Sequence, residues 1–224
     1  MSENPTENQI WQLLAVIVNA GQGSKALRQG RLAGITGGTI LLGHGTAGKH
    51  SLLWSDDSEI RREIVLMVAD EHRIQQALVN LQQALKLGKP FHGIAISIKI
   101  CGLLGSSVCQ TNLTLEAEDD DMNLQKAVFA IVDKGMAEMI VDAAEKAGAH
   151  GATIINARGA GIHETSRLFS LAVEPEREIV LIIDDSARMP AIIEAVRQAA
   201  DLDQPGHGIL FAVDVDHAIG LYKG

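Results

Sequence analysis

The chain has 224 residues, of which 46% are apolar and 21% charged, a balance typical of a folded protein with a large core. Aromatic residues make up 3%, so aliphatic side chains must form that core. The formal charge of −9 argues against a large nucleic-acid surface, because phosphate binding requires clustered lysine and arginine. The apolar run at 10–20 is too short to cross a bilayer. We therefore expect a cytoplasmic protein, with no membrane insertion and no nucleic-acid partner, in which Cys101 and Cys109 are reduced thiols.

Apolar runs and helical stripes alternate through the first half of the chain. The stretches "LLAVIVNAG" from Leu13, "GITGGTI" from Gly34 and "REIVLMVAD" at 62–70 predict strands. Apolar residues then recur at helical spacing, at Ile74, Ala77, Leu78, Leu81 and Leu85. The run "HGIAISI" from His92 predicts a closing strand.

A glycine-rich stretch, "GHGTAGKHS" at 43–51, is similar to the phosphate-binding loop of nucleotide hydrolases. Gly43, Gly48 and Lys49 fit the Walker A spacing, but His50 occupies the position of the magnesium-binding hydroxyl. A Walker A loop leads into a helix whose N-terminus faces the phosphates. Here the stretch joins two predicted strands, which disfavours a nucleotide hydrolase and leaves a degenerate P-loop as an alternative.

The same pattern returns after a polar segment at 105–125, whose acidic run at 116–121 predicts a solvated linker. Strands are predicted at 127–132 and within "GATIINA", "EIVLIID" and "GILFAVDV". The first helical stripe consists of Met139, Ile140, Ala143, Ala144 and Ala147. The second consists of Ile192, Ile193, Val196, Ala199 and Ala200, with Pro190 near its start.

Four segments of the first half recur in order in the second half. "REIVLMVAD" at 62–70 returns as "REIVLIIDD" at 177–185, and the other three pairs share this offset to within one residue. The repeat predicts an α+β protein with two tandem ferredoxin-like (βαββαβ) domains, at 10–104 and 126–224. Because both helices of such a domain cover one face of its sheet, the other face requires a sister domain or another subunit.

The order of these segments resembles the PII signal-transduction family. The resemblance rests on "GITGGT" at 34–39, the loop after the second strand, "REIVL" in both halves, and the turn at 206–208. It implies a trimeric assembly with ATP or ADP in clefts between subunits and 2-oxoglutarate beside the nucleotide. It also implies a loop that docks onto partner enzymes, transporters or channels.

We predict a ligand site from the residues that match this pattern. In the first half they are Thr39, Gly45, Lys49 and Gly93. In the second half they are Thr153, Arg158, Gly159, Gly161, Gly206 and Gly208. Backbone N–H groups of the glycines and the nearby lysine and arginine would bind an anion.

Several departures from the family weaken the predicted nucleotide site. The family has a phosphate-binding lysine after its Gly-Asp-Gly turn, where this chain has Ile94 and Ile209. Two family arginines near the C-terminus are replaced by Lys223 alone. Each charge-assisted phosphate contact contributes about 1.5–3 kcal/mol, so ATP or ADP binding of the usual strength is not expected. The loops at 43–60 and 158–177 also lack the tyrosine that the family uridylylates.

Histidines and paired carboxylates offer alternative interpretations. If loop and turn approach each other, His92, His163 and His207 could bind a transition metal, whereas His92 and His207 could also cap a turn. Asp184 and Asp185 could act as an acid–base pair. The recurrence of Asp70 at the same helix start favours Asp185 or Ser186 as a helix N-cap.

Together these features predict a non-enzymatic PII-like regulator that senses a small ligand, an adenine nucleotide or another anion, at clefts between subunits. We expect a protein target in nitrogen or carbon metabolism and a homo-oligomer, with a trimer favoured over a pseudo-symmetric dimer. The alternatives are a metal- or anion-binding protein of the same fold and a degenerate P-loop NTPase.

Overall fold

The computed structural model describes residues 10–45, 60–90, 92–105, 125–160, 166–168, 171–173, 175–204, 206–215, 218 and 220–221. The chain forms two compact units. The first takes in the residues up to Lys99, and the second takes in most of the residues from Ile100 onward. In the described parts of the chain, no helix is long and apolar enough to span a membrane.

The first unit alternates strands and helices around one antiparallel sheet. Its elements are β1 (Trp11–Asn19), α1 (Gly23–Leu32), β2 (Gly38–Gly45), β3 (Ile60–Asp70), α2 (Glu71–Leu85) and β4 (Gly93–Lys99). The strands lie in the order β4-β1-β3-β2, and every neighbouring pair is antiparallel. The central pair runs in register from Trp11 opposite Asp70 to Asn19 opposite Arg62.

The core of the first unit lies between the helices and one face of the sheet. Alternate strand residues face it, because successive side chains of a strand point to opposite faces. The strand members are Leu14, Val16, Val18, Ile40, Val65, Met67 and Ala69. The helix members are Ala26, Leu27, Ile74, Ala77, Leu81 and Leu85, which include most of the predicted α2 stripe.

The second unit repeats this order and carries one additional sheet strand. Its elements are β5 (Gly102–Leu104), β6 (Gln125–Asp133), α3 (Ala137–Lys146), β7 (Thr153–Ala160), β8 (Ser166–Leu168), β9 (Leu171–Val173), β10 (Glu176–Asp185), α4 (Met189–Ala199) and β11 (Gly208–Val215). The sheet order is β7-β10-β6-β11-β5, while β8 and β9 form a separate hairpin. The pairs within this unit are antiparallel.

Packing in the second unit follows the first. Val128, Ala130 and Val132 of β6 pack with Ile140 and Ala144 of α3 in a core that α4 completes. On the alternate positions of β6 and β11, the rings of Phe129 and Phe211 stack with centroids 5.0 Å apart. Such offset or parallel ring pairs stabilise a sheet beyond the area that they bury.

The α+β class is confirmed, and most predicted strands and helices are found at their expected positions. The strand predicted from Gly34 begins at Gly38 and continues to Gly45, into the predicted loop. Two features were not predicted. Residues 102–104, assigned to the first domain from the sequence, form β5 and pair with β11 of the second unit. Residues 166–168 and 171–173, within the predicted loop at 158–177, form the β8–β9 hairpin. The predicted linker falls almost entirely outside the described residues. Tandem duplication and the domain boundaries at 104 and 126 stay predictions.

Two glycines allow a close approach between neighbouring strands, β4 to β1 in the first unit and β11 to β6 in the second. Gly93 has φ 142° and Gly208 has φ 148°, values that residues with a side chain rarely adopt. A Cβ at Gly93 would lie 2.4 Å from the Ile17 carbonyl oxygen, and one at Gly208 would lie 2.5 Å from the Ile131 carbonyl oxygen. The close approach therefore requires glycine at both equivalent positions.

We expect Gly93→Ala and Gly208→Ala each to lower the free energy of unfolding by about 2 kcal/mol or more, because the methyl group meets backbone in a strained conformation. Urea unfolding followed by circular dichroism measures this change. Gly88→Ala and Gly151→Ala are matched controls, since a Cβ there meets nothing within 4 Å. Control losses equal to those at Gly93 and Gly208 would contradict the steric explanation.

Candidate ligand site

In each unit the strand register brings the predicted glycine segments to one end of the sheet. In the first unit, Gly93 lies opposite Val18, and Arg62 lies between Asn19 and Gly43. We call this edge the loop end, because the chain leaves β2 and enters β3 there. Gly45 and Gly93, two of the predicted ligand residues, are therefore at the same end of the sheet.

The second unit has an equivalent loop end. Gly208 lies opposite Val132, and Arg177 lies between Asp133 and Ala157. The predicted ligand residue Arg158 pairs with Glu176 at the next position of β7. Gly159 follows Arg158 in the same strand, and Gly206 precedes β11 with φ 95°.

A buried arginine joins the two central strands at each loop end. Arg62 and Arg177 are 9% and 7% exposed. The Arg62 guanidinium donates to Asn19 Oδ1, and the Arg177 guanidinium forms an ion pair with Asp133 Oδ1. Since a buried charge needs polar partners, these contacts attach the start of β3 and of β10 to the end of the preceding central strand.

A glutamate next to each arginine holds the start of the unit's first helix. Glu63 is 4% exposed, and its carboxylate accepts from Gly23 N–H at 2.6 Å. The Glu178 carboxylate accepts from Gly135 N–H and Ala137 N–H, both at 3.0 Å. The first N–H groups of a helix have no partner within the helix and favour negative charge, so both glutamates stabilise the helix start from a neighbouring strand.

Sequence reasoning did not identify these glutamates. In both halves they stand in "REIVL", which was used only to predict a strand and to recognise the repeat. One sequence feature could have identified them. Each glutamate stands two residues before a core valine, Val65 or Val180, and so faces the same side of the sheet as that valine. A charged residue there requires a buried hydrogen-bond donor.

The two loop ends differ in charge. In the first unit the residues at the start of β3 are Arg61 and Arg62, while the end of β1 is Asn19 followed by Ala20. At the equivalent positions of the second unit, Glu176 pairs with Lys134 at 2.6 Å and Arg177 pairs with Asp133. The hydrogen bond that Lys134 donates to Glu176, and the charge of this carboxylate, raise the pKa of Lys134. The first loop end is therefore the more cationic of the two.

The remaining predicted ligand residues are placed elsewhere. Thr39 and Thr153 lie at the opening of β2 and β7, six residues before Gly45 and Gly159. At about 3.3 Å per residue this separation is roughly 20 Å along the strand, so within one unit they do not meet the loop-end glycines. Thr39 is 5% exposed. Lys49, Gly161 and His163 lie outside the described residues.

The Walker A alternative gains no support from the strand that contains its first glycine. Gly43 is inside β2 and pairs in register with Arg62 of β3. The next described element after β2 is the antiparallel strand β3, whereas a P-loop leads into a helix.

Two of the three histidines of the metal hypothesis, His92 and His207, contact groups close to them along the chain. The Nδ1 atom of His92 lies 3.1 Å from the carbonyl oxygen of Leu85, the last residue of α2. His207 Nδ1 lies 3.4 Å from Asp201 Oδ2, and both side chains are more than half exposed. Within the described segments no group of three or more histidine, cysteine, aspartate or glutamate side chains is arranged to hold a metal ion.

The adjacent carboxylates at the end of β10 bind one arginine. Asp184 accepts from Arg188 Nε at 2.8 Å and from the Asp185 N–H at 2.7 Å, and it lies 3.3 Å from His150 Nδ1. Asp185 lies 2.8 Å from the Arg188 guanidinium. Burial favours a higher pKa for Asp184, but the hydrogen bonds from Arg188 and the Asp185 amide outweigh it and lower the pKa. This arrangement fits a structural contact and not an acid–base pair.

The helix-capping prediction holds for one of the two equivalent positions. Asp70 is the N-cap of α2 and accepts from Arg73 N–H at 3.0 Å. The prediction that Asp185 or Ser186 caps α4 is wrong, because Arg188 occupies the N-cap position and the helix begins at Met189. A turn closed by the hydrogen bond from Arg188 N–H to the Asp185 carbonyl oxygen separates Asp185 from the helix, and the Asp185 carboxylate accepts from the Arg188 guanidinium.

Cys101 is a half-buried free thiol beside Lys126, whose ammonium lies 3.7 Å from Sγ and 2.5 Å from Asp214 Oδ1. Burial raises the pKa of the Cys101 thiol above its ordinary value, which keeps the sulfur protonated and unreactive. Cys109 lies outside the described residues.

Known proteins match one half of the chain. Residues 125–224 match the family model for "Nitrogen regulatory protein P-II". "Nitrogen regulatory protein P-II 2" of Methanothermobacter thermautotrophicus is 27% identical over 109 residues, which are 46% of this chain and 94% of that protein. "Nitrogen regulatory protein P-II 1" of the same organism has the same identity and coverage. Both relatives therefore align along almost their whole length with less than half of this chain.

We expect Glu63→Ala to lower the free energy of unfolding by about 1–3 kcal/mol, because it leaves the Gly23 N–H buried without its acceptor. Glu63→Gln keeps an acceptor oxygen and is expected to cost less. Urea unfolding measures both, with Glu145→Ala on the exposed face of α3 as a control that changes stability by less than about 0.5 kcal/mol. Equal losses in Glu63→Ala and Glu145→Ala would contradict the helix-start role.

The lowered pKa of Asp184 predicts a pH-dependent contribution to stability. Above its ordinary pKa of 3.8 the carboxylate contributes fully, and the contribution is lost as the pH falls through the lower folded-state pKa. We expect the free energy of unfolding of the wild type to exceed that of Asp184→Asn by about 2 kcal/mol at pH 6. This difference should decrease only below about pH 3.8. Urea unfolding of both proteins between pH 2.5 and 7 measures it. A gap that stays constant across this range would refute the assignment.

Proposed function

We propose that this chain, whose residues 125–224 match the P-II family model, is a non-enzymatic regulator whose first loop end binds a small anion. Ligand binding there alters the segment between β2 and β3 and thereby the activity of a protein target. The observation that carries the proposal is the cationic loop end of the first unit, placed in a chain whose second half matches a nitrogen regulatory family.

The charges at the two loop ends support an anionic ligand in the first unit. Arg61 is exposed and is the second residue of β3, beside the buried Arg62. The start of α1 lies at the same end, but the Glu63 carboxylate already accepts from its Gly23 N–H, so the exposed arginine carries the attraction for a ligand. In the second unit the equivalent arginine and lysine are paired with Asp133 and Glu176, which reduces their attraction for a ligand.

The size of the proposed anion is inferred from the residues that follow Gly93 and Gly208 in β4 and β11. Ile94 is 59% exposed at the position where a phosphate-binding lysine would be expected, and Ile209 takes that position in the second unit. An adenine nucleotide would therefore bind weakly, and a smaller anion such as bicarbonate or phosphate fits the remaining cations. The nucleotide stays in the proposal as the weaker ligand.

The loop end also explains how binding would be signalled. The chain leaves the sheet at Gly45 and re-enters it at Ile60, so both ends of the intervening segment are attached to the proposed site. A ligand that prefers one arrangement of these ends shifts the segment toward that arrangement. We propose that this segment docks onto a target in nitrogen or carbon metabolism, with the site completed at a cleft between subunits of a homotrimer.

The metal-binding and NTPase alternatives have less support. His92 and His207 already contact Leu85 and Asp201, and the described residues hold no metal-binding group of three. Gly43 belongs to a paired strand. Zn²⁺ titration and a multi-turnover phosphate-release assay with a Lys49→Ala control test these alternatives.

We expect calorimetric titration to detect binding of bicarbonate, phosphate, ADP or ATP, with nucleotide affinities weaker than micromolar. Arg61→Ala should weaken binding of the best anion roughly tenfold, because it removes one charge-assisted contact. Arg28→Ala changes the net charge equally from an exposed position on α1 and should alter affinity less than about twofold. Equal effects of both variants, or no anion binding by the wild type, would overturn the proposed site.

A further inference from the structure

One edge strand of the second unit is covered by a short strand from the segment that follows β4. β5 pairs antiparallel with β11, with Gly102 opposite Ala212, Leu103 opposite Phe211 and Leu104 opposite Leu210. The Cys101 N–H donates to the Ala212 carbonyl oxygen at 2.9 Å. All three β11 residues in this stretch are fully buried.

The equivalent strand of the first unit is β4, and among the described residues no strand pairs with its outer edge. Its isoleucines are exposed: Ile94 by 59%, Ile96 by 46% and Ile98 by 43%. Ile96 corresponds to the fully buried Phe211. An edge strand with unpaired backbone groups and three exposed isoleucines is a template for pairing with another strand.

The end of the chain carries a sequence similar to β5. The stretch "CGLLG" at 101–105 follows β4, and "IGLYKG" at 219–224 follows β11. Gly220 and Leu221 correspond to Gly102 and Leu103. The second half of the chain therefore has its own sequence counterpart of the strand that the first half places on β11.

We propose that the segment around Gly220 and Leu221 of one copy adds as an antiparallel strand to β4 of a second copy. The β5–β11 register, transferred to β4, places Gly220 opposite Ser97 and Leu221 opposite Ile96. This pairing supplies partners for the outer backbone groups of β4 and buries Ile96 against Leu221. The edge of each first unit is thus closed by the chain end of a neighbour.

The sequence match with β5 identifies the segment that pairs with β4, and the exposed isoleucines of β4 suit its apolar side chains. The proposal assigns this segment to a second copy of the chain. Leu103 and Leu104 are 4% and 9% exposed where β5 pairs with β11. The equivalent residues Leu221 and Tyr222 are also apolar or aromatic, as a strand beside the exposed isoleucines of β4 requires. The contact is heterologous, joining two different surfaces, so it generates a ring when its rotation closes. It is independent of ligand binding at the loop end.

Cysteine cross-linking between separately purified chains tests this pairing. Two full-length proteins are made in a Cys101→Ala, Cys109→Ala background, one with Ile96→Cys and one with Leu221→Cys. Directly opposite residues of antiparallel strands have Cα atoms about 4.5–5.5 Å apart, within the range of a disulfide. After mixing and mild oxidation, we expect a disulfide-linked species of two chains on non-reducing gels.

Two controls test the strand register and whether the paired strands belong to two chains or to one. Ile98→Cys mixed with Leu221→Cys should cross-link at least fivefold less, because these residues are diagonal in the proposed register. A single chain carrying both Ile96→Cys and Leu221→Cys tests pairing with its own end. Cross-linking confined to that chain, without a two-chain product, would overturn the second-copy assignment, and no cross-link in either experiment would overturn the pairing itself.

Mass measurement provides a second readout without introduced thiols. We expect light scattering to give an oligomer for the wild type and a loss of mass for Leu221→Asp and for a chain ending at residue 218. Val79→Lys, at an exposed apolar position on α2, should leave the mass unchanged. A monomeric wild type, or truncated and wild-type chains of equal mass, would contradict the proposal.

Discussion

The register of the central strand pair is the constraint on which the rest of each unit depends. It sets Asn19 opposite Arg62 in the first unit and Asp133 opposite Arg177 in the second. A slip of one residue would exchange the two faces, exposing the glutamate that binds the helix start and forcing the arginine into the core. The pair of neighbouring charges, a buried arginine on one face and a glutamate on the other, therefore fixes both the helix position and the loop end.

Much of this fold could be predicted because apolar periodicity directly reflects which side chains the sheet and helices bury. The strands "LLAVIVN" and "REIVL" and the α2 stripe were identified in this way. Polar residues were harder to place, because their role depends on partners far along the chain. Glu63 was missed since its partner Gly23 lies 40 residues earlier. Asp185 was misassigned because Arg188 competes for its carboxylate.

Spatial relations between separate segments were the least predictable part of the candidate site. Antiparallel register brings Gly45 and Gly93 to the same end, but it leaves Thr39 near the opposite end of β2. β5 was not predicted, since three residues carry no periodicity that separates a strand from a linker. The charge difference between the loop ends was present in the sequence at Arg61 and Glu176, but it gained meaning only when Lys134 was found beside Glu176.

The two halves share an architecture and differ in the charges at their loop ends, and the proposed function assigns ligand binding to the first half and not to the second. Amide chemical-shift mapping during titration with bicarbonate or ADP tests this division most directly. The account predicts that the largest shifts occur at Arg61, Arg62, Gly93 and the start of α1, with small shifts at Glu176, Arg177 and Gly208. Shifts confined to the second unit, or absent from both loop ends at saturation, would contradict it.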